Sequence, residues 1–265
     1  MPRSGKGFGH LCAQGVQAGT ALLGSGAQGR ADQERQAGLG RRSAPEAGGR
    51  GPPGTLDSMS EQHYFSETPE TEFKPRPVQV ELAGRKVTVT TANGIFSPSG
   101  IDKGTAILLQ ETPEPRGERL LDIGCGWGPI ALTLAMLAPQ AQVHAVDVNS
   151  RSISLTERNA AALGLPNVTV GTPESVDPEL RFDTIWSNPP IRVGKEVLHE
   201  ILLTWLPRLA PEGDAYLVVQ KNLGSDSLQK WLDAKLEELY PGEFEVSRYA
   251  TAKGFRILRA HRHGA

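Results

Sequence analysis

Leu120-Leu121-Asp122-Ile123-Gly124-Cys125-Gly126-Trp127-Gly128-Pro129 is the stretch whose reading decides the fold. A short apolar run ends in an acid and then in three glycines at alternate positions, and an apolar helical pattern follows from Ile130 to Leu137. The pattern predicts a buried strand, a tight turn, and a helix whose N-terminus opens beside the turn. Glycines suit such a turn because a side chain would block the close approach of a ligand to the main chain. The spacing is G-x-G-x-G, whereas a dinucleotide-binding turn reads G-x-G-x-x-G. Pro129 also removes one of the amides that a pyrophosphate would need. Asp122, just before the turn, suits a cationic group better than a phosphate. S-adenosylmethionine, with an ammonium, a sulfonium and no phosphate, has that character.

Downstream of this stretch, strand and helix patterns alternate. Strands are predicted at 119–123, 142–147, 167–171, 182–187 and 214–220, and helices at 129–138, 150–163, 194–209 and 225–239. The runs Phe244 to Tyr249 and Phe255 to Ala260 read as a closing antiparallel pair. Such alternation means an α/β fold, a mostly parallel sheet with helices on both faces. Ligands then bind outside the carboxyl ends of the strands, near the switch point of the sheet. Upstream, Val78 to Leu82 and Lys86 to Thr90 alternate with period two around Ala83-Gly84-Arg85, the pattern of a small β-hairpin. A turn-rich loop from Gly94 to Thr105 leads into a short helix over 106–111, capped near Asp102, and a Pro-rich linker follows over 112–117.

Residues 1–58 differ from the rest. Gly, Ala, Gln, Arg and Ser dominate and no period survives, so this segment is expected to be disordered. It reads as an inert tail, or as translated sequence ahead of a start at Met59, in preference to a targeting peptide. The chain then divides into a low-complexity segment, 1–58, and one domain, 59–265, that carries the hairpin as an N-terminal extension. Glu61 to Pro77 reads as an extended lead-in, with His63-Tyr64-Phe65-Ser66 docking on the domain. The net charge of −2 gives no global signal for nucleic acid, so any RNA binding must use a local patch. No apolar run approaches the ~20 residues of a membrane span. The two cysteines, Cys12 and Cys125, match no metal pattern and suit a reducing cytosol. The oligomeric state is left open.

Two more places carry chemistry. The strand Gln142 to Asp147 ends in an acid 23 residues after Gly124, where a carboxylate can accept from both hydroxyls of a ribose. Asn149 stands ready to cap the next helix, which leaves Asp147 for the ligand. His144, inside the strand, reads as a packed core residue. The strand Phe182 to Ser187 runs into Asn188-Pro189-Pro190-Ile191-Arg192-Val193-Gly194-Lys195. Two prolines at the mouth of a buried strand end the ladder and fix the backbone. Their carbonyls and the Asn188 side-chain carbonyl form a cluster of acceptors suited to a planar amino group. They can hold its hydrogens while its lone pair faces a sulfonium methyl, so that catalysis is mostly positioning and electrostatics. Thr172 and Glu174, after the third strand, are candidates for an adenine contact. Arg192, Lys195 and Lys221 are candidates for phosphates. The basic run Arg256, Arg259, His261, Arg262 reads as a solvated face.

With these motifs in this order, residues 63 to 260 resemble a class I S-adenosylmethionine-dependent methyltransferase. More closely they resemble the small-subunit rRNA guanine-N2 methyltransferase family in its single-domain form. The matching features are His63 to Ser66, Gly94 to Ser97 with Ile101 to Thr105, the Asp122 to Gly128 turn, and Ser187 to Lys195. The resemblance implies a Rossmann-like seven-stranded sheet with its last strand antiparallel. It implies that Asp122, Gly124 and Gly126, with Gly128, line the methionine side of the cofactor, and that Asp147 holds the ribose. It also implies that Asn188, Pro189 and Pro190 grip the target amino group, and that the Phe96 to Thr105 loop lies over the cofactor. Ribosomal RNA or the small subunit is the implied partner, with Ile191, Arg192 and Lys195 on the substrate side.

Two departures stand out. Many Asn-Pro-Pro methyltransferases place an aromatic next, to stack on the base, and here Ile191 stands there. The best-understood rRNA members also carry a second, degenerate copy of the domain, which residues 1–58 cannot form. An adenine amino group, a glutamine side-chain amide, or a non-catalytic RNA-binding role are the alternatives. A dehydrogenase would need the other glycine spacing.

Overall fold

The computed structural model describes residues 72–264. The expectations for residues 1–58 and for His63 to Ser66 lie outside the described residues. Strands β1 (Pro75–Leu82) and β2 (Arg85–Ala92) form a two-stranded antiparallel sheet. Ala83 and Gly84 turn between them with φ of 48° and 71°, a two-residue geometry whose twist matches that of the arms. Both arms are longer than expected. Pro75 and Pro77 are admitted to β1 because it has no second neighbour to receive their missing amides.

The main sheet contains β3 (Arg119–Ile123), β4 (Gln142–Val146), β5 (Val168–Gly171), β6 (Phe182–Ser187), β7 (Leu209–Gln220), β8 (Phe244–Ala252) and β9 (Phe255–Arg262). Their spatial order is β5-β4-β3-β6-β7-β9-β8. The pairings from β5 across to β7 are parallel, and β9 lies antiparallel between β7 and β8. This is the seven-stranded, mostly parallel sheet expected. The chain steps outward from β3 through β4 to β5, then returns to the far side of β3 as β6. The switch point therefore falls between β3 and β6, the two strands that end in the glycine turn and in Asn188.

Helices α1 (Lys103–Glu111), α2 (Pro129–Leu137), α3 (Ser150–Ala162), α4 (Lys195–Trp205) and α5 (Ser225–Leu239) cover the sheet. On one face Leu121, Ile123, Ile185 and Leu217 bury against Leu198, Leu202 and Trp205 of α4 and Leu228, Leu232 and Leu236 of α5. On the other, Leu120, Val143, Trp186, Val218 and Ile257 bury against Ile107 and Leu108 of α1 and Ile130 and Leu134 of α2. Each such side chain contributes roughly 1.5–3 kcal/mol of burial. Three of the boundaries that differ from expectation have a local cause. Helix α1 begins at Lys103, not 106, because Asp102 caps it directly. Helix α4 stops at Trp205, not 209, since Pro207 has no amide to continue the ladder, and a 3₁₀ turn takes Leu206–Arg208. Strand β7 starts at Leu209, not 214, and absorbs the extra residues in a register shift opposite Phe182 and Thr184.

The hairpin is not a loose appendage. Leu82, Val89, Ala92 and Ile95 pack on Trp127 of the glycine turn and on Leu132, Leu155 and Ala160. Asn159 of α3, fully buried, accepts from the Thr90 amide at 2.7 Å and donates to the Thr90 and Trp127 carbonyls at 2.9 Å each. One amide side chain thus pins β2 to the turn.

Candidate active site

The β3–β4 side of the cleft is built mainly from backbone. The Gly124 and Cys125 amides donate to the Val146 carbonyl at 2.8 and 3.0 Å, which draws the turn over the end of β4. Gly124 and Gly126 have φ of 76° and 58°, and a side chain added at either would project into open space. That open space lies against bare main chain. Gly128 differs, since a methyl there would meet Thr156 at 3.0 Å and Leu132 at 3.2 Å. The structure places it against α3 and at the N-cap of α2, where it allows close helix packing.

Two acids belong to this half. Asp147 Oδ2 accepts from the Gly126 amide and Oδ1 from the Asn149 amide, both at 2.9 Å. Its carboxylate therefore faces the glycine bend, and burial pushes its pKa up. Asp122 is completely buried. Oδ2 accepts from the Ala131 amide in the first turn of α2 at 2.9 Å, and Oδ1 has no hydrogen-bond partner. Burial first, and then the charge of Asp147, push its pKa up to about 8. Two crowded acids and an unpartnered oxygen make a donor set that favours a cation. Cys125 is buried beside them and its thiol is pushed well up, mainly by desolvation, so it stays protonated and unreactive.

The β6 side is built from side chains. Ser187 donates to the Ile123 carbonyl at 2.8 Å, locking the end of β6 to β3. The Asn188 Nδ2 donates to both carboxylate oxygens of Asp102, at 3.3 and 3.2 Å, and lies 3.1 Å from the Thr105 hydroxyl. A carboxylate only accepts, so the amide has one sensible orientation, with Nδ2 inward and Oδ1 left to accept. Asp102 meanwhile caps α1 through the Gly104 and Thr105 amides. The expected freedom of the proline carbonyls needs one correction. Pro190 accepts a long, 3.4 Å bond from the Val193 amide, because Ile191–Val193 closes into a 3₁₀ turn.

The remaining candidates are spread around this edge. Thr172 follows β5, beside Asp147, whose amide donates to the Gly171 carbonyl. Thr172 and Glu174 are both exposed. Ile191 is half-buried and packs on the α4 side of the core. Arg192 and Lys195 are exposed, as is Lys221 just after β7. The loop before α1 is tied to the start of α3. Asn149 donates to the Gly94 carbonyl and Arg151 to that of Asn93, which holds Phe96, 49% exposed, near the Asp147 end of the cleft. The basic run is not a solvated face. Arg256 pairs with Asp226, Arg259 with Asp214 and Arg262 with Glu243.

Sequence reasoning missed three roles. Asp102 was legible as a cap but not as the group that orients Asn188. Thr105 was legible only as the end of the Ile101 to Thr105 motif, and Asn159 carried no signal, since their partners lie 83 and 69 residues away. A surface cavity of about 670 Å³ opens at the amino ends of the strands around Arg119, Gln142 and His144. It is an open trough at the opposite end of the sheet from the glycine turn, Asp147 and Asn188. Among the described residues, no cluster of three or more His, Cys, Asp or Glu could hold a metal ion, and no helix is long and apolar enough to cross a membrane.

Residues 86–259 match the model of the methyltransferase small domain family. The chain is 36% identical over 206 residues to the uncharacterized protein YbxB of Bacillus subtilis, covering 76% of this chain and 98% of that one. It is 32% identical over 190 residues to ribosomal RNA small subunit methyltransferase C of Hahella chejuensis, covering 68% of this chain and 55% of that one. Among solved structures it is similar to the T. thermophilus 16S rRNA N2 G1207 methyltransferase (RsmC) in complex with AdoMet and guanosine. The TM-score is 0.58 at 26% identity, covering 74% of this chain and 52% of that one. The chain thus spans about half the length of the rRNA methyltransferases it matches.

Proposed function

The chain belongs to the methyltransferase small domain family, and from that premise we propose that it moves a methyl group from S-adenosylmethionine to the N2 amino group of a guanine in small-subunit rRNA. One observation carries the proposal. The glycine turn, Asp147 and Asn188 end three adjacent strands, β3, β4 and β6, with Ile123 in register with both Val146 and Ser187. Neighbouring strands lie about 4.8 Å apart, so donor and acceptor share one cleft.

When bound, S-adenosylmethionine supplies an electrophilic methyl on a sulfonium. Gly124 and Gly126 let its methionine end lie on the main chain, over the acidic pair Asp122 and Asp147, and Asp147 accepts from the ribose hydroxyls. Thr172 flanks the adenine side. Asn188 Oδ1 and the Pro189 carbonyl accept the two hydrogens of the target amino group. This turns the nitrogen lone pair toward the methyl. The proton leaves to water after transfer, so no strong base is needed, and Asn188 acts by position and dipole. Arg192, Lys195 and Lys221, joined by Lys253 in the β8–β9 turn, line the same edge and would neutralise RNA phosphates. Such a substrate puts the protein with ribosomes in the cytoplasm, with 59–265 as the catalytic domain.

Mass analysis of rRNA from cells with and without the gene tests the substrate. One guanine should lose its N2 methyl, and an unchanged rRNA map would rule the assignment out. Asn188→Ala should abolish transfer while cofactor affinity stays the same. Unchanged transfer by that variant would remove Asn188 from catalysis. A glutamine amide offers the same planar NH₂, and Ile191 in place of a stacking ring is what favours it. The same deletion strain, examined for lost methylation of ribosomal proteins, separates the two.

A further inference from the structure

The segment after Asn188-Pro189-Pro190 offers Ile191 where a stacking ring would serve a base. Ile191 itself is turned into the α4 side of the core. An aromatic ring from another part of the chain nevertheless lies on the same side of Gly104 as Asn188. Phe255 opens β9, opposite Gln220 at the end of β7, and so stands at the carboxyl edge of the parallel strands. A methyl group placed on Gly104 would lie 3.2 Å from Phe255 Cε1, 3.4 Å from Asn188 Nδ2 and 3.1 Å from Asp102 Oδ1. One methyl would touch all three, so the ring edge, the amide and its orienting carboxylate line a single narrow space.

We propose that Phe255 is the aromatic wall against which the acceptor base is held, replacing in space the ring that Ile191 does not supply. The inference rests on the nucleobase reading above. Three features make Phe255 more than filler. The Lys221 amide donates to the Gly254 carbonyl at 2.9 Å, so the backbone fixes the ring's position rather than its own burial. The side chain is only partly buried, at the margin of the α1–α2 core. The Lys103 ammonium lies 6.0 Å from the ring centroid, a cation within reach of the phosphate of a base held against the ring. The role is to position the base, and stacking on a ring tolerates any planar base, so Phe255 sets how firmly the base is held rather than which base is chosen.

The test compares the full-length wild type with Phe255→Leu, Phe255→Tyr and Phe96→Leu. Cofactor dissociation constant, KM for small-subunit rRNA and kcat are measured for each. Phe255→Leu keeps apolar volume and loses the ring, so KM should rise roughly tenfold with cofactor affinity unchanged. Phe255→Tyr should behave as wild type, and Phe255→Leu combined with Ile191→Phe should recover part of the loss. Equal KM for wild type and Phe255→Leu would overturn the role of Phe255 alone. So would a loss confined to Phe96→Leu, which would move the wall to the loop before α1. No transfer to rRNA by the wild-type chain would overturn the underlying reading itself. If Phe255→Leu fails to fold, Phe255→Tyr and Phe255→Met decide between ring and volume. A Met variant equal to Tyr in KM would defeat the proposal.

Discussion

On the β3–β4 side of the cleft the surface offered to a ligand is mostly main chain, while on the β6–β9 side it is side chain. The first half is continuous in sequence. Asp122 to Pro129 makes the strand end, the turn and the helix start, and Asp147 closes on it through the Gly126 amide. The second half is assembled from Asp102, Thr105, Asn188 and Phe255, which meet only in three dimensions. The halves also differ in polar satisfaction. Asp102 accepts from two amides and from Asn188, whereas Asp122 keeps one buried oxygen with no partner. The half proposed to take the donor keeps an unmatched acid, and the acid in the half proposed to take the acceptor is fully bonded.

Substitutions should divide along the same line. The largest effect is expected for Gly126→Ala. Its φ of 58° disfavours any Cβ, and the methyl would point into the open space over the turn. Affinity for S-adenosylmethionine should fall by roughly 100-fold or more, with about 1–2 kcal/mol of lost stability. Calorimetric titration and a denaturation curve measure the two. Retained affinity would mean that the ligand does not lie on this backbone.

Asp102→Asn strikes the other half. Asn caps a helix as well as Asp, so stability should change by less than about 1 kcal/mol. An amide opposite Asn188 offers one acceptor in place of two, however, and weakens the preference for Nδ2 inward. The kcat should fall by about 100-fold with cofactor affinity unchanged. A parallel loss of cofactor binding would show that the halves are not independent.

How much of this was legible follows from how far apart the partners lie. Strand and helix order was readable because apolar periodicity is local, and so was the turn, whose glycines and acid are consecutive. Asn149 was recognised as a cap because it bonds within three residues. The link from Asp102 to Asn188 spans 86 residues and was not. The basic run at 256–262 misled for the same reason. Its acids, Asp226, Asp214 and Glu243, sit on other elements, and a charge without its partner in view reads as solvated. Gly128 repeats the spacing of Gly124 and Gly126, yet Thr156 lies beneath it while the other two face open space.

Gly104→Ala sharpens the comparison further, since it improves local propensity while crowding the site. Ala is favoured over Gly inside a helix by about 1 kcal/mol, so the melting temperature should hold or rise. The added methyl must displace Asp102, Phe255 or Asn188 by a few tenths of an ångström. Displacements of that size at a positioned group should cost roughly tenfold in kcat, given that ~1 Å costs about 100-fold. An unchanged kcat would mean that the Asn188 amide tolerates movement and is not held to a fixed line of attack.

The smallest effect concerns pH and belongs to the donor half alone. Asp122 has a folded pKa of about 8 against 3.8 for an unperturbed aspartate. Between those values the unfolded chain binds fewer protons than the folded one, so stability falls as pH rises, and Asp147, also raised, adds in the same direction. His144 and His199, whose pKa values are lowered, act oppositely, but their contribution is complete once pH passes the ordinary histidine value of 6.5. Between pH 7 and 8 the carboxyls should therefore dominate, with a slope of order 1 kcal/mol per pH unit. Asp122→Asn should flatten that slope, whereas Gly104→Ala, which changes no titrating group, should leave it intact. Saturating S-adenosylmethionine should flatten it too in the wild type, since a cation beside Asp122 restores the ionised form. Denaturant curves at pH 6, 7 and 8, with and without cofactor, measure all three. A slope that survives Asp122→Asn would place the titrating group elsewhere, and with it the negative charge that receives the cationic donor.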